Sequence, residues 1–252
     1  MKILFFSGTG NSLYVAKRVG GEQYSIPKLI KQKKFEFEDE KIGIVFPVYY
    51  LAVPPLVEEF LKQANLKSNY IFAVISYGAY AADILSQLLK IGRNNNITFS
   101  YINKIKMVDN YLLGFNMKTQ IENEPKKHIE KNLGEIIQEI NDQTNKIPKE
   151  HIFTKIVRYA YQAVVKKTVK SVFDSKFTIE ESCNGCGICT KVCPVDNIEL
   201  VNKKPLHKGK CVRCLACANL CPNNSIRVRG ERSKVRFKNK NVSLKEIIDA
   251  ND

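Results

Sequence analysis

The sequence contains no tryptophan and three methionines, and its eight cysteines all fall between Cys183 and Cys221. The rest of the chain is free of cysteine, so a disulfide framework spread over a secreted fold is excluded. Cysteines crowded into so short a stretch mark a local device instead. Long apolar runs are missing too. None approaches the roughly 18–20 residues that a membrane-spanning helix needs. The opening "MKILFF" has one lysine, a very short apolar stretch and no small-residue cleavage site. That is not a secretory leader, and a cytoplasmic protein is expected. Acid is scarce: 25 acidic residues stand against 40 basic ones, a formal charge of +15. Between Leu200 and Lys240 there are twelve Lys and Arg and a single acid, Glu231. What remains is ordinary: 252 residues, 44% apolar, enough for one large domain or two modest ones with a sizeable core.

"CNGCGICTKVCPVD" (Cys183–Asp196) and "CVRCLACANLCPNN" (Cys211–Asn224) write one pattern twice. The repeat is 28 residues: Cys183 matches Cys211, Cys193-Pro194 matches Cys221-Pro222, and Ile198 matches Ile226. Each half reads C-x2-C-x2-C-x3-C-P, the bacterial [4Fe–4S] run whose fourth cysteine serves the other cluster. One cluster then takes Cys183, Cys186, Cys189 and Cys221, and the other takes Cys211, Cys214, Cys217 and Cys193. The crossing ties both halves into one body, so cluster loss should unfold this region. Zinc sites made of paired CxxC units have no use for a third cysteine inside the loop. Gly185, Gly187 and Ala216 suit a backbone that must approach cluster sulfurs. His207 is read as an ordinary surface histidine, because eight cysteines already complete two sets of four. At every cysteine and both prolines, Phe177 to Arg229 resembles the bacterial two-cluster ferredoxins. That resemblance implies one-electron transfer at low potential.

Ahead of the cysteines, apolar strands alternate with helical segments. "KILFFS" (Lys2–Ser7), "QYSIP", "KIGIVFPVYY" (Lys41–Tyr50), "NYIFAVISYG" (Asn69–Gly78) and "ITFSYINKIKMV" (Ile97–Val108) read as strands. Helical spacing marks Gly10–Gly20, Pro54–Ala64, Ala81–Gly92 and Glu124–Gln143. The alternation predicts an α/β doubly wound parallel sheet over residues 1–148. Residues 149–176 read as a helical connector. In it Ile152, Ile156, Tyr159, Ala160, Ala163, Val164 and Phe173 form the apolar stripe, and Lys155, Arg158, Lys166, Lys167 and Lys170 the polar side. A basic membrane-surface helix or a partner-docking helix has the same pattern. The cysteine region, 177–230, reads as a small α+β domain. The tail, 231–252, reads as a strand-like start and a short helix, with Ser243 as N-cap.

"SGTGNS" (Ser7–Ser12) follows a strand and opens a helix, where free backbone N–H groups attract a phosphate. It is not a P-loop, because no Lys-Ser/Thr follows a second glycine. A dinucleotide fingerprint would need a third glycine where Leu13 stands, and an acid ending the second strand. A phosphate monoester, which needs hydroxyl donors as well, suits Ser7, Thr9, Asn11 and Ser12. The loop resembles the FMN phosphate loop of the flavodoxin family at Ser7, Thr9, Gly10 and Ser12. The resemblance covers residues 1–148 and implies that two further loops hold the flavin ring. These are "PVYYLAVP" (Pro47–Pro54), with Pro47, Val48, Tyr49 and Tyr50, and "SYGAYAAD" (Ser76–Asp83), with Ser76, Tyr77 and Gly78. Tyr49, Tyr50 and Tyr77 would stack on the ring or pack the core, and Gly78 would let backbone approach its edge. "DNYLLGFNM" (Asp109–Met117) would close over the same pocket. As a whole the chain resembles the flavodoxin–ferredoxin fusion proteins of anaerobes.

Each [4Fe–4S] core with four thiolates carries about −2, and FMN phosphate about −2, so three such groups would leave about +9. The excess would raise cluster potentials and steer an acidic redox partner protein. Nucleic acid would have to bind by charge alone, since no reading motif accompanies it. The expected function is electron transfer between two [4Fe–4S] clusters, FMN and an external partner. An FMN-dependent reductase of a small substrate, fed by the clusters, is the alternative, and a redox-sensing module a third reading. No NAD(P) fingerprint is present.

Overall fold

The computed structural model describes residues 1–168 and 173–252, without the side chains of residues 152, 162 and 164–168. In the first half the elements are β1 (Lys2–Phe5), α1 (Asn11–Val19), β2 (Glu22–Ser25), α2 (Ile26–Lys31), β3 (Glu36–Glu38), β4 (Lys41–Pro47) and α3 (Pro55–Gln63). They continue as β5 (Asn65–Lys67), β6 (Tyr70–Tyr77), α4 (Ile84–Asn94), β7 (Tyr101–Lys106), α5 (Met117–Glu122) and α6 (Ile129–Asn141). Five strands form one parallel sheet in the order β2-β1-β4-β6-β7. Numbered along the chain, those strands run 2-1-3-4-5, the flavodoxin-like doubly wound order. The central strands β1, β4 and β6 are apolar along nearly their whole length because both faces are covered. Helices α1 and α6 pack side by side, and α3 packs against both α2 and α4. Strands β3 and β5 form a separate two-stranded parallel pair.

Next come α7 (Ile152–Thr168), β8 (Phe177–Ile179), α8 (Ile188–Lys191), β9 (Ile198–Val201), β10 (Lys204–His207), α9 (Ala216–Asn219), β11 (Ile226–Val228) and α10 (Leu244–Asn251). β9 pairs with β10 and β8 with β11, both antiparallel, which makes the small α+β domain. Its Val192, Ala216 and Leu220 share one apolar core with Ile3, Ile44 and Phe46 of the large sheet. Val242, Ile247 and Ala250 of the tail enter the same core. The 28-residue repeat is geometric as well. Asn197 N–H reaches Cys193 Sγ at 3.2 Å, and its counterpart Ser225 N–H reaches Cys221 Sγ at 3.3 Å.

Several elements differ from the sequence expectation. Pro27 sits in the first turn of a short helix, α2, where its fixed φ suits helix entry, so "QYSIP" is a strand only up to Ser25. β7 begins at Tyr101, because Ile97 turns back to the Gly92 carbonyl at 2.9 Å. The start of the tail forms no strand. Its hydrogen bonds go to loops instead: Phe237 N–H to Asn219 Oδ1 and Asn239 N–H to the Thr9 carbonyl. α10 carries the capping box between Ser243 and Glu246.

The connector helix is rotated from the expected orientation. Of the expected stripe, Ile156 and Tyr159 stand 58% and 60% exposed and Ala160 and Ala163 are exposed as well, so within α7 it faces outward, while Phe173 beyond the helix is buried. Arg158 pairs with the buried Asp83 at 2.6 Å, and Glu150 accepts the N–H groups of Leu85 and Ser86. Polar anchors therefore fix which face points inward. Lys170 lies outside the described residues, as do the side chains of Ile152, Val164, Lys166 and Lys167. Among the described residues no helix is long and apolar enough to cross a membrane.

Candidate functional site

Strand register brings the three loops to one edge of the sheet. Phe5 pairs with Val45, Pro47 with Ser76, and Tyr77 with Lys106. The loops that follow open at the carboxyl ends, where β1 and β4 diverge to opposite sides, the usual ligand crevice of such sheets. A cavity of about 410 Å³ lies there. Ser7, Gly8, Thr9, Asn11, Ser12, Pro47, Val48, Tyr49, Tyr50, Ser76, Tyr77 and Gly78 all line it, and Gly10 lies behind the wall.

At one end sits the N-terminus of α1, with no acid in its first turn. Gly10 takes φ +98°, a left-handed value that lets the loop turn into the helix. Ser7 Oγ accepts the Gly10 N–H at 3.1 Å, and Thr9 Oγ1 accepts the Asn110 amide at 2.6 Å. Both hydroxyls act as acceptors in these bonds, so each keeps its own hydrogen for an anion. Ser12 and Ser76 share a hydroxyl pair at 2.8 Å. Asn11 is braced from both sides, donating to the Val108 carbonyl and accepting from Asn239. Val242 and Ile247 press behind Gly10, where an added Cβ would stand 3.2 Å from Val242 Cβ.

The other walls are aromatic. Tyr49 and Ala52 exchange backbone bonds around Tyr50 and Leu51, whose φ values are +51° and +62°. Two bulky residues in the left-handed region cost about 1–2 kcal/mol each, and strain of this kind gathers at functional loops. The turn sets the Tyr50 ring edge-on to Tyr111 at 5.4 Å. Tyr49 packs edge-on to Phe6 at 5.6 Å. Its hydroxyl is buried with no partner among the described residues, and burial holds its pKa well above the ordinary value. Gly78 lines the cavity and also makes room for a neighbour. A Cβ there would stand 2.1 Å from Asp109 Oδ2, so the missing side chain admits that carboxylate. Asp109 then accepts the N–H groups of Ala79 and Tyr111, each at 3.0 Å, while burial raises its pKa. The Asp109–Met117 segment does close over the pocket, through Asp109, Asn110, Tyr111, Gly114 and Phe115.

Sequence reasoning missed the last wall. Arg213, Cys214 and Leu215 come from the second cysteine loop, and Tyr161 from α7. The backbone carbonyl of Cys214 would stand 3.2 Å from a Cβ on Gly8. A flavin mononucleotide fits this site. The helix N-terminus and unused hydroxyls suit its phosphate, and the tyrosines its ring.

The cysteines gather as the crossed sets. Cys183, Cys186, Cys189 and Cys221 ring one small cavity, and Cys193, Cys211, Cys214 and Cys217 ring another. Cys186 is exposed and Cys183 and Cys221 are half-buried, whereas Cys193, Cys214 and Cys217 are buried. The first set is thus the outer one. Burial pushes the Cys189 thiol to about 11 and Cys211 to about 12, so cluster binding must release protons. The repeat puts left-handed residues at matching places: Gly185 and Gly187 in the outer loop, Arg213 and Leu215 in the inner.

A family model for a 4Fe-4S binding domain matches residues 177–199 and again 205–227. The C-terminal part is a 4Fe-4S binding domain. Its two matched motifs and eight cysteines imply two [4Fe–4S] clusters. An uncharacterized polyferredoxin-like protein of Methanocaldococcus jannaschii is 35% identical over a stretch covering 25% of this chain and 45% of that one. The chain thus matches less than half the length of that relative. The solved structure of the Trp repressor binding protein from Bacillus subtilis is 12% identical and covers 50% of this chain and 91% of its own, with a TM-score of 0.33. The flavodoxin-like character of the first half is read from strand order.

The 4Fe-4S domain also corrects the reading of His207. Its ring stacks on Phe177 at 4.3 Å with an interplanar angle of 1°, and Nε2 lies 4.0 Å from Cys217 Sγ. It packs against the inner set, and burial lowers its pKa. Of the twelve cations between Leu200 and Lys240, Arg227 and Arg236 both engage Glu231, and Arg213 lines the cavity. The solvated basic face is smaller than the sequence count.

Proposed function

We propose that this chain is an electron-transfer protein that passes electrons between its two clusters and FMN, and to or from an external redox partner. One observation carries the reading. Cys214 belongs to the inner cysteine set and also lines the cavity that begins at the phosphate loop. A ligand of one redox group is thereby a wall of the site for another. FMN, when bound, would supply exchange of one or two electrons. The chain's own residues do the rest. Ser7, Thr9 and the α1 N-terminus hold the phosphate, Asn11 and Asn239 brace that loop, and the tyrosines exclude water. The outer set, with its exposed Cys186, is the side a partner reaches first.

The reductase alternative needs open room for a substrate over the ring. Instead the cavity is hemmed by six tyrosines and by the inner cysteine loop, which favours a carrier.

Anaerobic reconstitution with iron, sulfide and FMN tests the reading. Wild-type chain is expected to bind FMN and to reduce it as its clusters are reduced. Cys193→Ser, which strips the inner set, should slow that reduction at least tenfold, a loss of about 1.4 kcal/mol in coupling. Flavin that is reduced at the wild-type rate without the inner cluster would refute the relay.

A further inference from the structure

We propose that Arg213 is the counter-charge of the flavin ring. Carried on the inner cluster's own loop, it favours the reduced ring over the oxidised one and so sets the flavin potential. The inference rests on the FMN reading above and adds to it the residue that tunes the bound ring.

Arg213 is the one cation lining the cavity among the described residues. Among those residues no carboxylate pairs with it. Its guanidinium lies instead against two rings, with Cζ 5.5 Å from the centroids of both Tyr50 and Phe173. Cation–ring contact of this kind suits arginine, with its planar, weakly hydrated charge. The one carboxylate in the wall among the described residues, Asp109, is engaged by two backbone N–H groups. The phosphate end is served by neutral donors around α1, whereas Arg213 stands with Tyr50. The free positive charge therefore sits at the aromatic end.

The backbone makes the placement deliberate. Arg213 has φ +60°. Its counterpart one repeat earlier is Gly185, at φ +71°. Glycine adopts that region freely and arginine does not. The N–H of Arg213 is fixed on Cys211 Sγ at 3.3 Å. A side chain forced through a glycine position, next to two cluster ligands, is aimed by the cluster loop itself.

The chemistry gives the direction. The neutral oxidised ring takes two electrons, supplied by the clusters, and one proton from solvent to reach a reduced ring of charge −1. A fixed cation in a wall of low polarity binds that ring more tightly than the neutral one. Affinity that rises on reduction is a raised potential.

Arg213→Gly and Arg213→Lys in the full chain, loaded anaerobically with iron, sulfide and FMN, test this. Glycine relieves the backbone, so iron content should hold. Oxidised FMN should bind within about threefold of wild type and reduced FMN should lose about tenfold more affinity than oxidised FMN does, read as a fall of about 30 mV in the two-electron midpoint. Arg213→Lys should recover part of the shift. An unmoved midpoint with iron and FMN retained overturns the inference alone. So does weaker FMN binding with riboflavin binding unchanged, because Arg213 would then serve the phosphate. If Arg213→Gly loses iron, Arg213→Lys decides: loss of iron there too assigns the residue to the loop and refutes the proposal. Wild-type chain with full iron that takes up no FMN overturns the flavin reading, and this inference with it.

Discussion

Thr9 shows how one hydroxyl can separate a phosphate site from a well-packed turn. Its oxygen is occupied by the Asn110 amide and its hydrogen is left to donate. Thr9→Val keeps the shape and removes the donor. A hydrogen bond to a charged group contributes about 1.5–3 kcal/mol, so FMN should bind roughly 10- to 150-fold more weakly. Riboflavin, which has no phosphate, should be far less affected in the same fluorescence titration. Ser7, Thr9 and Ser12 were legible in the sequence because a strand, a glycine turn and a helix start are local. Arg213 and Tyr161 were not. They reach the cavity from segments whose approach depends on how the second domain docks. The one local hint was an arginine where the first repeat has glycine. His207 was misread for a related reason: its neighbour Phe177 pairs with it only through tertiary packing.

Among the elements, α7 departs furthest from its pattern. Periodicity identified a helix but not its rotation, which Arg158 and Glu150 fix through single polar contacts. Ile156→Asp should therefore change stability by no more than about 0.5 kcal/mol, as surface substitutions do. A thermal shift of many degrees would show that the stripe is packed. The tail helix α10 is held differently. Glu246 bonds Lys17 and caps its own helix, and these contacts, Lys17 first, lower its pKa to about 2. A depressed carboxylate adds stability that is fully present above its unfolded pKa, about 4.3. The contribution is lost as pH falls toward about 2. Melting curves of wild type and Glu246→Gln should keep a constant gap from pH 7 to about 5, which narrows as the medium becomes more acidic. Lys17 and Glu246 are partly exposed, so the gap should also be reduced by salt.

In the molecule as a whole, the parallel sheet and the crossed cysteine sets follow from patterns that repeat along the chain. Their docking leaves no such trace, because it depends on a shared core of Ile3, Phe46, Ala216 and Val242 that no single segment announces. Charge acts at this scale. The outer set lies near the β9–β10 hairpin, where Lys203 packs against Gly185. An acidic redox protein should associate there at a rate that falls with ionic strength, as stopped-flow mixing at 20 to 500 mM salt would show. A rate independent of salt would rule out electrostatic steering. The turn at Ser7–Ser12 forms from the first dozen residues, yet its brace is Asn239, 228 positions later. On the ribosome, the pocket's floor is therefore translated long before the residue that steadies it. On the proposed flavin reading, pigment uptake would then follow synthesis of almost the entire polypeptide, after both cysteine loops have emerged to receive their iron.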